Sequence, residues 1–204
     1  MHIAIAGNIG AGKTSLAGLL AKHYGWEPHY EEVDQNPYLV DFYEDMKRWA
    51  FNLQVYFLNS RFSQIVQIRN SNTTVVQDRT IYEDAYIFAT NLYDMGLMSK
   101  RDFKNYIALF ELMTQLIQPP DLLIYLRASV PTLVHQIEQR GRPYEAGIRL
   151  NYLKSLNDRY EEWVANYTQD NMLIINVDEC NFVNEAAALS QVFDKIDAHL
   201  NGLF

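Results

Sequence analysis

A glycine-rich loop lies between an apolar run and a helical pattern near the start of the sequence. Residues 7–14 read Gly-Asn-Ile-Gly-Ala-Gly-Lys-Thr and fit the pattern G-x-x-x-x-G-K-[ST], after the apolar run at 3–6 and before the helix-like run at 15–22. Glycines let such a loop curl so that several N–H groups point inward, and the positive end of the next helix faces the same spot. The sequence therefore predicts a P-loop, a cradle for the phosphates of a nucleoside triphosphate.

The last two residues of this motif carry most of its chemistry. Lys13 is expected to reach the outer phosphates, and the Thr14 hydroxyl is expected to hold Mg²⁺. A chance glycine-rich turn is the alternative, which the order strand, loop and helix disfavours. The residues predicted to bind the nucleotide are Gly7, Asn8, Ile9, Gly10, Ala11, Gly12, Lys13, Thr14 and Ser15.

Length, charge and composition argue against several classes of protein. The chain has 204 residues, of which 49% are hydrophobic, so a single domain over 1–204 with a sizeable core is expected. The net charge of −8 and the lack of long Lys/Arg runs argue against nucleic acid as a partner. No apolar run approaches the ~18 residues of a membrane span, and no secretory leader pattern is visible. We expect a cytoplasmic protein without membrane contacts, in which Cys180 is a structural thiol.

Short β-branched runs alternate with long helical patterns, which predicts an α/β fold with a five-stranded parallel sheet flanked by helices. Pro119 and Pro120 should end a helix before the fourth strand, and Asn184 is predicted to cap the last helix. The candidate strands are 2–6, 26–31, 73–78, 122–127 and 172–177, and the long helical patterns are 38–69, 82–117 and 148–167.

Ligands of open parallel sheets collect at the carboxyl ends of the strands, so the residues after each strand are candidate site residues. Three carboxylates, Glu31, Glu32 and Asp34, follow the second strand. They could supply a base, hold a metal, or form a solvated acidic turn. The third strand ends in Asp78, followed by Arg79. An acid opposite a P-loop is a common Mg²⁺ partner, and the arginine could meet phosphate.

The run at 140–145, Arg-Gly-Arg-Pro-Tyr-Glu, predicts a further element of the site. Glycine and proline break the helix there and leave two arginines on a loop. The pattern predicts a lid over roughly 140–147 that brings guanidinium groups to a transferring phosphoryl group. An ordinary basic helix end is the alternative.

Two polar side chains lie among aromatic residues in the helix predicted over 48–69. Gln54 and Arg61 are seven residues apart and share one helix face. Polar groups in such surroundings usually have a partner. Asp84 and Phe88, four residues apart on the next helix, could supply a carboxylate and a ring. A plain Arg–Asp bridge on the surface explains the charged pair equally well.

The order of these segments resembles that of the deoxyribonucleoside kinases over nearly the whole chain, and most of all the bacterial deoxyadenosine and deoxyguanosine kinases. The segments that carry the resemblance are 31–38, 78–84 and 139–145, which read Glu-Glu-Val-Asp-Gln-Asn-Pro-Tyr, Asp-Arg-Thr-Ile-Tyr-Glu-Asp and Gln-Arg-Gly-Arg-Pro-Tyr-Glu. The resemblance implies a P-loop kinase fold with an arginine-bearing lid and a homodimer. It implies transfer of a phosphoryl group, with Mg²⁺, from ATP to a deoxyribonucleoside 5′-hydroxyl, with GTP left open as donor.

The resemblance also implies roles for single residues. Glu31 is the general base, although Glu32 stands where the family has proline, so the choice between them stays open. Asp78 holds Mg²⁺ with Thr14. The groups that act on the phosphates are Lys13, Arg79, Arg140 and Arg142. The nucleoside residues are Tyr43 with Glu145 at the 3′-hydroxyl, Gln54 and Phe88 at the base, and Arg61, Arg79 and Asp84.

The charged pair Arg61 and Asp84 is expected to select the base. By the resemblance, kinases with this pair take deoxyadenosine, deoxyguanosine or deoxycytidine. Asp84 can accept from an exocyclic amino group, which adenine and cytosine present and thymine lacks. Deoxyadenosine is therefore the first choice, deoxyguanosine or deoxycytidine follows, and thymidine is disfavoured.

Two other functions are alternatives to this one. A nucleoside monophosphate kinase shares the P-loop, the sheet and the lid, but it needs arginines for the acceptor phosphate, whereas residues 27–60 are mostly acidic and aromatic. A GTP-dependent switch needs Asp-x-x-Gly and Asn-Lys-x-Asp, and neither tetrapeptide occurs. The candidate residues of a homodimer face, which core packing explains equally well, are Phe103, Tyr106, Ile107, Phe110 and Met113.

Overall fold

A computed structural model describes residues 1–31, 33, 35–168 and 171–202, apart from the side chain of Ala146. In these residues five parallel strands form one sheet in the order β2-β3-β1-β4-β5, which confirms the predicted five-stranded parallel sheet. The strands are β1 His2–Gly7, β2 Glu27–His29, β3 Val75–Asp78, β4 Leu122–Arg127 and β5 Met172–Asn176.

The two faces of the central strand β1 belong to two different hydrophobic cores. Ile3 and Ile5 point into a core shared with α1 (Lys13–Tyr24), whereas Ala4 and Ala6 point into a core rich in aromatic side chains. This alternation follows from the two-residue period of a strand, and burial on both faces explains why the strand is apolar throughout. The sheet is thus a rigid support, and the ends of β1, β2 and β3 meet at one edge.

The helices are α1 Lys13–Tyr24, α2 Leu39–Glu44, α3 Met46–Asn70, α4 Ile81–Glu83, α5 Thr90–Asp94, α6 Lys100–Thr114, α7 Val130–Arg140, α8 Leu150–Ala165 and α9 Ala186–Leu200. A π-helix, Asp84–Ala89, lies between α4 and α5, and a 3₁₀ turn, Pro143–Gly147, lies between α7 and α8. Among the described residues none of the helices combines the length and the hydropathy needed to cross a bilayer.

Two of the predicted long helices are divided. The pattern over 38–69 breaks at Asp45, whose backbone leaves the helical region and whose side chain accepts from the N–H of Arg48 to start α3. The pattern over 82–117 contains the π-helix and a turn at 95–99, where Gly96 has φ +71° and Ser99 caps α6. Both breaks lie at capping residues, which hydrophobic periodicity does not detect.

The end of α6 and the start of α9 test the predicted helix boundaries. As expected, α6 ends before Pro119 and Pro120. The prediction that Asn184 caps the last helix is wrong, because α9 starts after Glu185 and has no side-chain cap. The Asn184 side chain instead donates to Asn181 Oδ1 at 3.1 Å, since the loop before α9 closes on itself.

Candidate active site

The predicted P-loop connects the end of β1 to the start of α1. Gly10 and Gly12 have φ values of +88° and +92°, a region that side-chain-bearing residues rarely adopt. A Cβ atom at Gly10 would also lie 2.9 Å from the carbonyl oxygen of Leu133. The loop therefore depends on glycine both for its backbone turn and for its packing against α7.

One cavity of about 700 Å³ joins this loop to the residues predicted to hold the nucleoside. Lys13 and Thr14 line one end of the cavity, and Tyr43, Gln54 and Glu145 line the other. Side chains from the loop 177–184, which follows β5, also line the cavity, and Phe182 of this loop packs on the P-loop. We call the P-loop side, expected to hold the phosphate donor, the donor end, and the side with Tyr43 and Gln54, expected to hold the nucleoside, the acceptor end. The structure thus brings together two sets of residues that lie far apart in the sequence.

Asp78 and Thr14 meet as the predicted metal pair. The Thr14 hydroxyl donates to Asp78 Oδ2 at 2.5 Å, while the buried Asp78 Oδ1 accepts no hydrogen bond from any described residue. Burial raises the pKa of Asp78, with Lys13 opposing the shift. An orphaned carboxylate oxygen beside a hydroxyl suits Mg²⁺, which takes one or two protein oxygens and completes its shell with water and phosphate.

Glu31 lies between two buried arginines. Its Oε1 accepts from Arg61 Nη2 and lies 3.3 Å from Arg79 Nε. Burial would raise the pKa of Glu31, but the charges of Arg79, Arg61 and Lys13 outweigh it and hold this pKa at about 2. Glu31 is therefore ionised near neutral pH. Glu32, the other candidate base, lies outside the described residues.

Arg61 and Asp84 form a buried pair, so the alternative of a surface bridge is wrong. Arg61 Nε lies 3.2 Å from Asp84 Oδ2, and the side chains are 0% and 3% exposed. Burial raises the pKa of Asp84 to about 7, although Arg61 and Arg79 oppose the shift. Within the described part of the chain, Arg61 Nη1, Asp84 Oδ2 and Gln54 Oε1 have no hydrogen-bond partner. Gln54 and Asp84 border the cavity and a ligand can reach them there, whereas Arg61 does not border it and acts on the site through its pairing with Asp84 and Glu31.

Phe88 lies on the same π-helix as Asp84 and borders the cavity. The guanidinium carbon of Arg79 lies 4.5 Å from the centroid of the Phe88 ring. The wider turn of the π-helix lets Asp84 and Phe88 both reach the cavity, and the Thr90 hydroxyl donates to the carbonyl of Ala85 at 2.8 Å within this turn.

The segment 140–147 breaks the helix as predicted, with Gly141 in the left-handed region after α7. Arg140 is the last residue of α7, and both Arg140 and Arg142 line the cavity. Both are held by one buried carboxylate, because Arg140 Nη2 lies 2.6 Å and Arg142 Nη1 3.7 Å from Glu145 Oε1. Tyr43 borders the same segment, and its ring stacks on Tyr144.

The sequence analysis missed Glu83 and Tyr160, two buried residues beside Arg79. Glu83 accepts from the backbone N–H of Gly7 at 3.1 Å and from Tyr160 Oη at 2.8 Å. One signal was present, because Thr80 and Glu83 fit the capping-box pattern and form that box at the start of α4. Tyr160 gave no local signal, since it is one of three aromatic residues on α8.

The donor end of the cavity also contains residues that no motif indicated. The ring of Phe182 would lie 3.2 Å from a Cβ atom at Gly12, so it packs directly on the P-loop. Cys180 borders the same space and is half-buried, and burial raises the pKa of its thiol. This agrees with the structural thiol that was predicted.

Comparison with known proteins gives a consistent result. A family model described as deoxynucleoside kinase matches residues 3–201. A deoxyadenosine/deoxycytidine kinase of Bacillus subtilis (strain 168) is 40% identical over 196 residues, which are 95% of this chain and 90% of the relative. A deoxyguanosine kinase of Lactobacillus acidophilus is 39% identical over 210 residues, with 95% of this chain and 90% of the relative covered.

Solved structures agree with these relatives. The structure of deoxyadenosine kinase from M. mycoides with bound dATP has a TM-score of 0.85 and 31% identity, covering 97% of this chain and 100% of that one. The parallel sheet, the P-loop and the extent of these matches together identify a P-loop kinase fold and a phosphotransferase that acts on a nucleoside hydroxyl. The chain belongs to the deoxynucleoside kinase family.

Proposed function

We propose that the protein transfers the γ-phosphoryl group of ATP to the 5′-hydroxyl of a deoxyribonucleoside and releases the 5′-monophosphate. The observation that carries this proposal is the single cavity that contains Lys13 at one end and Gln54, Tyr43 and Glu145 at the other. An uncharged nucleoside suits the acceptor end, where the arginines Arg61 and Arg79 are already neutralised by Glu31 and Asp84. The shared cavity supports an arrangement in which the nucleoside hydroxyl lies next to the triphosphate.

Glu31 is the proposed base, because its carboxylate lines the cavity and lies 3.3 Å from Nε of Arg79, the arginine proposed to meet the phosphates. Its neighbouring cations keep it ionised, so it can accept a hydrogen bond from the 5′-hydroxyl at neutral pH. As the hydroxyl oxygen bonds to the γ-phosphorus, the bond from this phosphorus to the bridging oxygen breaks and ADP leaves, while the hydroxyl proton moves to Glu31. A well-placed general base contributes roughly 10²–10⁴-fold to the rate.

The phosphates are held by groups from three segments. The P-loop supplies backbone N–H groups and Lys13, while Thr14 and Asp78 would hold Mg²⁺, which neutralises charge on the phosphate oxygens when bound. Arg79 approaches from the nucleoside side. In this structure Arg140 and Arg142 form ion pairs with Glu145. We propose that the segment 140–147 acts as a lid that brings both arginines to the triphosphate.

The unpaired atoms at the acceptor end support a preference among bases. Gln54 and Asp84 border the cavity and can offer an amide and a carboxylate to a ring edge, and an amino-bearing base satisfies more of these groups than thymine does. A site whose polar groups are left unpaired by the wrong ligand rejects it by roughly 10⁴-fold in favourable cases. We therefore propose deoxyadenosine as the first substrate, then deoxyguanosine or deoxycytidine, and thymidine as a poor one.

Substitution of the proposed general base, Glu31, tests the mechanism. Glu31→Gln should lower kcat with deoxyadenosine and ATP at least tenfold, at a similar KM for the nucleoside, because only proton transfer is impaired. Glu27→Gln is the matched control, since Glu27 lies on β2 nearby but its side chain bonds to Thr73 at the surface. Unchanged turnover in Glu31→Gln, with a loss in Glu32→Gln instead, would assign the base to Glu32.

We also propose a cytoplasmic homodimer formed through α3 and α6. Of the predicted dimer residues, Tyr106 and Phe110 are buried within one chain, so for these two core packing is the correct explanation. Exposed apolar side chains on or next to these packed helices are Val66 on α3, Leu112 on α6 and Leu116, just after the end of α6. Sedimentation of Leu112→Lys alongside the unaltered protein tests this, and an unchanged mass would exclude Leu112 from a dimer face.

A further inference from the structure

We propose that Glu83 and Tyr160 are positioning residues that hold Arg79 toward the phosphoryl group and fix it to the first glycine of the P-loop. This inference rests on the proposed role of Arg79 in phosphoryl transfer. It assigns a task to two buried polar side chains, neither of which borders the cavity.

The carboxylate of Glu83 has its hydrogen-bonding capacity filled by groups from three parts of the chain. Oε2 accepts from the backbone N–H of Thr80 at 2.7 Å. Oε1 accepts from Gly7 N at 3.1 Å and from Tyr160 Oη at 2.8 Å, and it lies 3.6 Å from Arg79 Nη1. A charge that is completely buried needs such partners, and here they come from the P-loop, from the turn after β3 and from α8.

Arg79 needs this support because its backbone is strained and its charge is shared. It has φ +74°, an uncommon value for a residue with a side chain, and its own N–H donates to Ile5 O on β1 at 2.9 Å. Its Nε lies 3.3 Å from Glu31, while its Nη1 donates to Tyr160 Oη at 2.9 Å. The guanidinium is thus held from two opposite sides, by Glu31 and by the pair Glu83 and Tyr160.

Loss of the contacts that Glu83 and Tyr160 make with Arg79 would leave Glu31 as the close carboxylate for its guanidinium. The guanidinium would then move toward the proposed base and away from the phosphates, without any change in the residues that touch the nucleoside base. Because Glu83 also binds Gly7 N, the same loss would release the start of the P-loop from the acceptor side. The expected signature is a fall in kcat with little change in the KM of the nucleoside.

Tyr160→Phe is the first test, because it removes one hydroxyl and keeps the ring that packs in the core. We expect kcat to fall about tenfold, the effect of losing a hydrogen bond to a charged group, with the nucleoside KM changed less than about threefold. Tyr125→Phe is the matched control. Tyr125 stacks on Tyr160, but its hydroxyl donates to Glu161 at 2.9 Å, away from Arg79, so its kcat should not change.

A double-substitution cycle separates positioning from general stability. In an Arg79→Lys background, which lacks the planar fork, Tyr160→Phe should cause no further loss of kcat. Equal losses in both backgrounds, or equal losses in Tyr160→Phe and Tyr125→Phe, would show that Tyr160 is merely structural. Glu83→Gln should lower kcat further than Tyr160→Phe does. If the Glu83→Gln variant fails to fold, the cycle of Tyr160 and Arg79 still distinguishes a positioning role from a structural one. Unchanged kcat in Arg79→Lys alone would instead refute the proposed role of Arg79.

Discussion

At the donor end of the cavity, the proposed phosphate-binding groups lie on one continuous loop, whereas at the acceptor end the polar groups are side chains from four separate segments. The P-loop is shaped by glycines at 10 and 12, and its geometry is local. The acceptor end depends on Glu31, Arg61, Arg79 and Asp84, four ionisable groups that neutralise one another in a buried space. Function at the donor end is therefore separable from stability, whereas at the acceptor end the same side chains serve both.

Substitution of Lys13 is expected to give the largest loss of activity. Burial and the charge of Arg79 lower the pKa of Lys13 to about 8, so its charge is unfavourable until phosphate binds. Lys13→Met should lower kcat by roughly 10²–10³-fold, because it removes a cation that stabilises the developing charge. The melting temperature without nucleotide should stay equal or rise. Lys22→Met, at the exposed end of α1, is the control that should change neither quantity.

Substitution at the buried pair should do the opposite and cost stability. Arg61→Met leaves Asp84 without its ion-pair partner and Glu31 with Arg79 alone, which should lower the free energy of unfolding by about 3–5 kcal/mol in urea titrations. Arg61→Met combined with Asp84→Ala should be less damaging and should gain relative activity on thymidine. Equal stabilities of the single and double variants would mean that the two side chains are not coupled.

The pH dependence of the free energy of unfolding should reflect the protonation of Glu31. Its pKa in the folded protein is about 2, below the ordinary value of 4.5, so its contribution is present above pH 4.5 and is lost as the pH falls toward 2. The difference in unfolding free energy between the unaltered protein and Glu31→Gln should therefore shrink by roughly 2–3 kcal/mol over that range. A difference that does not vary with pH would contradict the two-arginine environment of Glu31.

The smallest expected effect concerns the π-helix. Thr90→Val removes the hydroxyl that donates to Ala85 O and should favour an ordinary helical turn, which moves Asp84 and Phe88. We expect the KM for deoxyadenosine to rise about threefold while the KM for ATP is unchanged. Thr114→Val is the control, because Thr114 makes a similar bond to Phe110 O in the regular helix α6, away from the cavity. An unchanged nucleoside KM would show that the hydroxyl does not support the wider turn.

The hydrophobic pattern of the sequence predicts the strands well and the breaks within the helices poorly. All five strands fall within or overlap the predicted ranges, and the prediction is closest for β1, β3 and β4, because a buried strand is apolar along almost its whole length. The edge strand β2 is partly exposed and covers only Glu27–His29 of the predicted 26–31. The patterns over 38–69 and 82–117 were each interpreted as one helix, although Asp45 and Ser99 begin new ones. A single capping side chain ends a helix without interrupting the apolar face, so periodicity continues across the break.

The sequence by itself determined the donor end, since a P-loop is built from consecutive residues whose backbone angles require glycine. It also indicated the residues that form the acceptor end, because their spacing resembles that of a known family. Only the tertiary structure decided that Arg61 and Asp84 are buried rather than exposed and that Glu83 joins Gly7 to Arg79. Those contacts connect residues from separate segments, and which of them meet is set by the packing of strands and helices around the sheet.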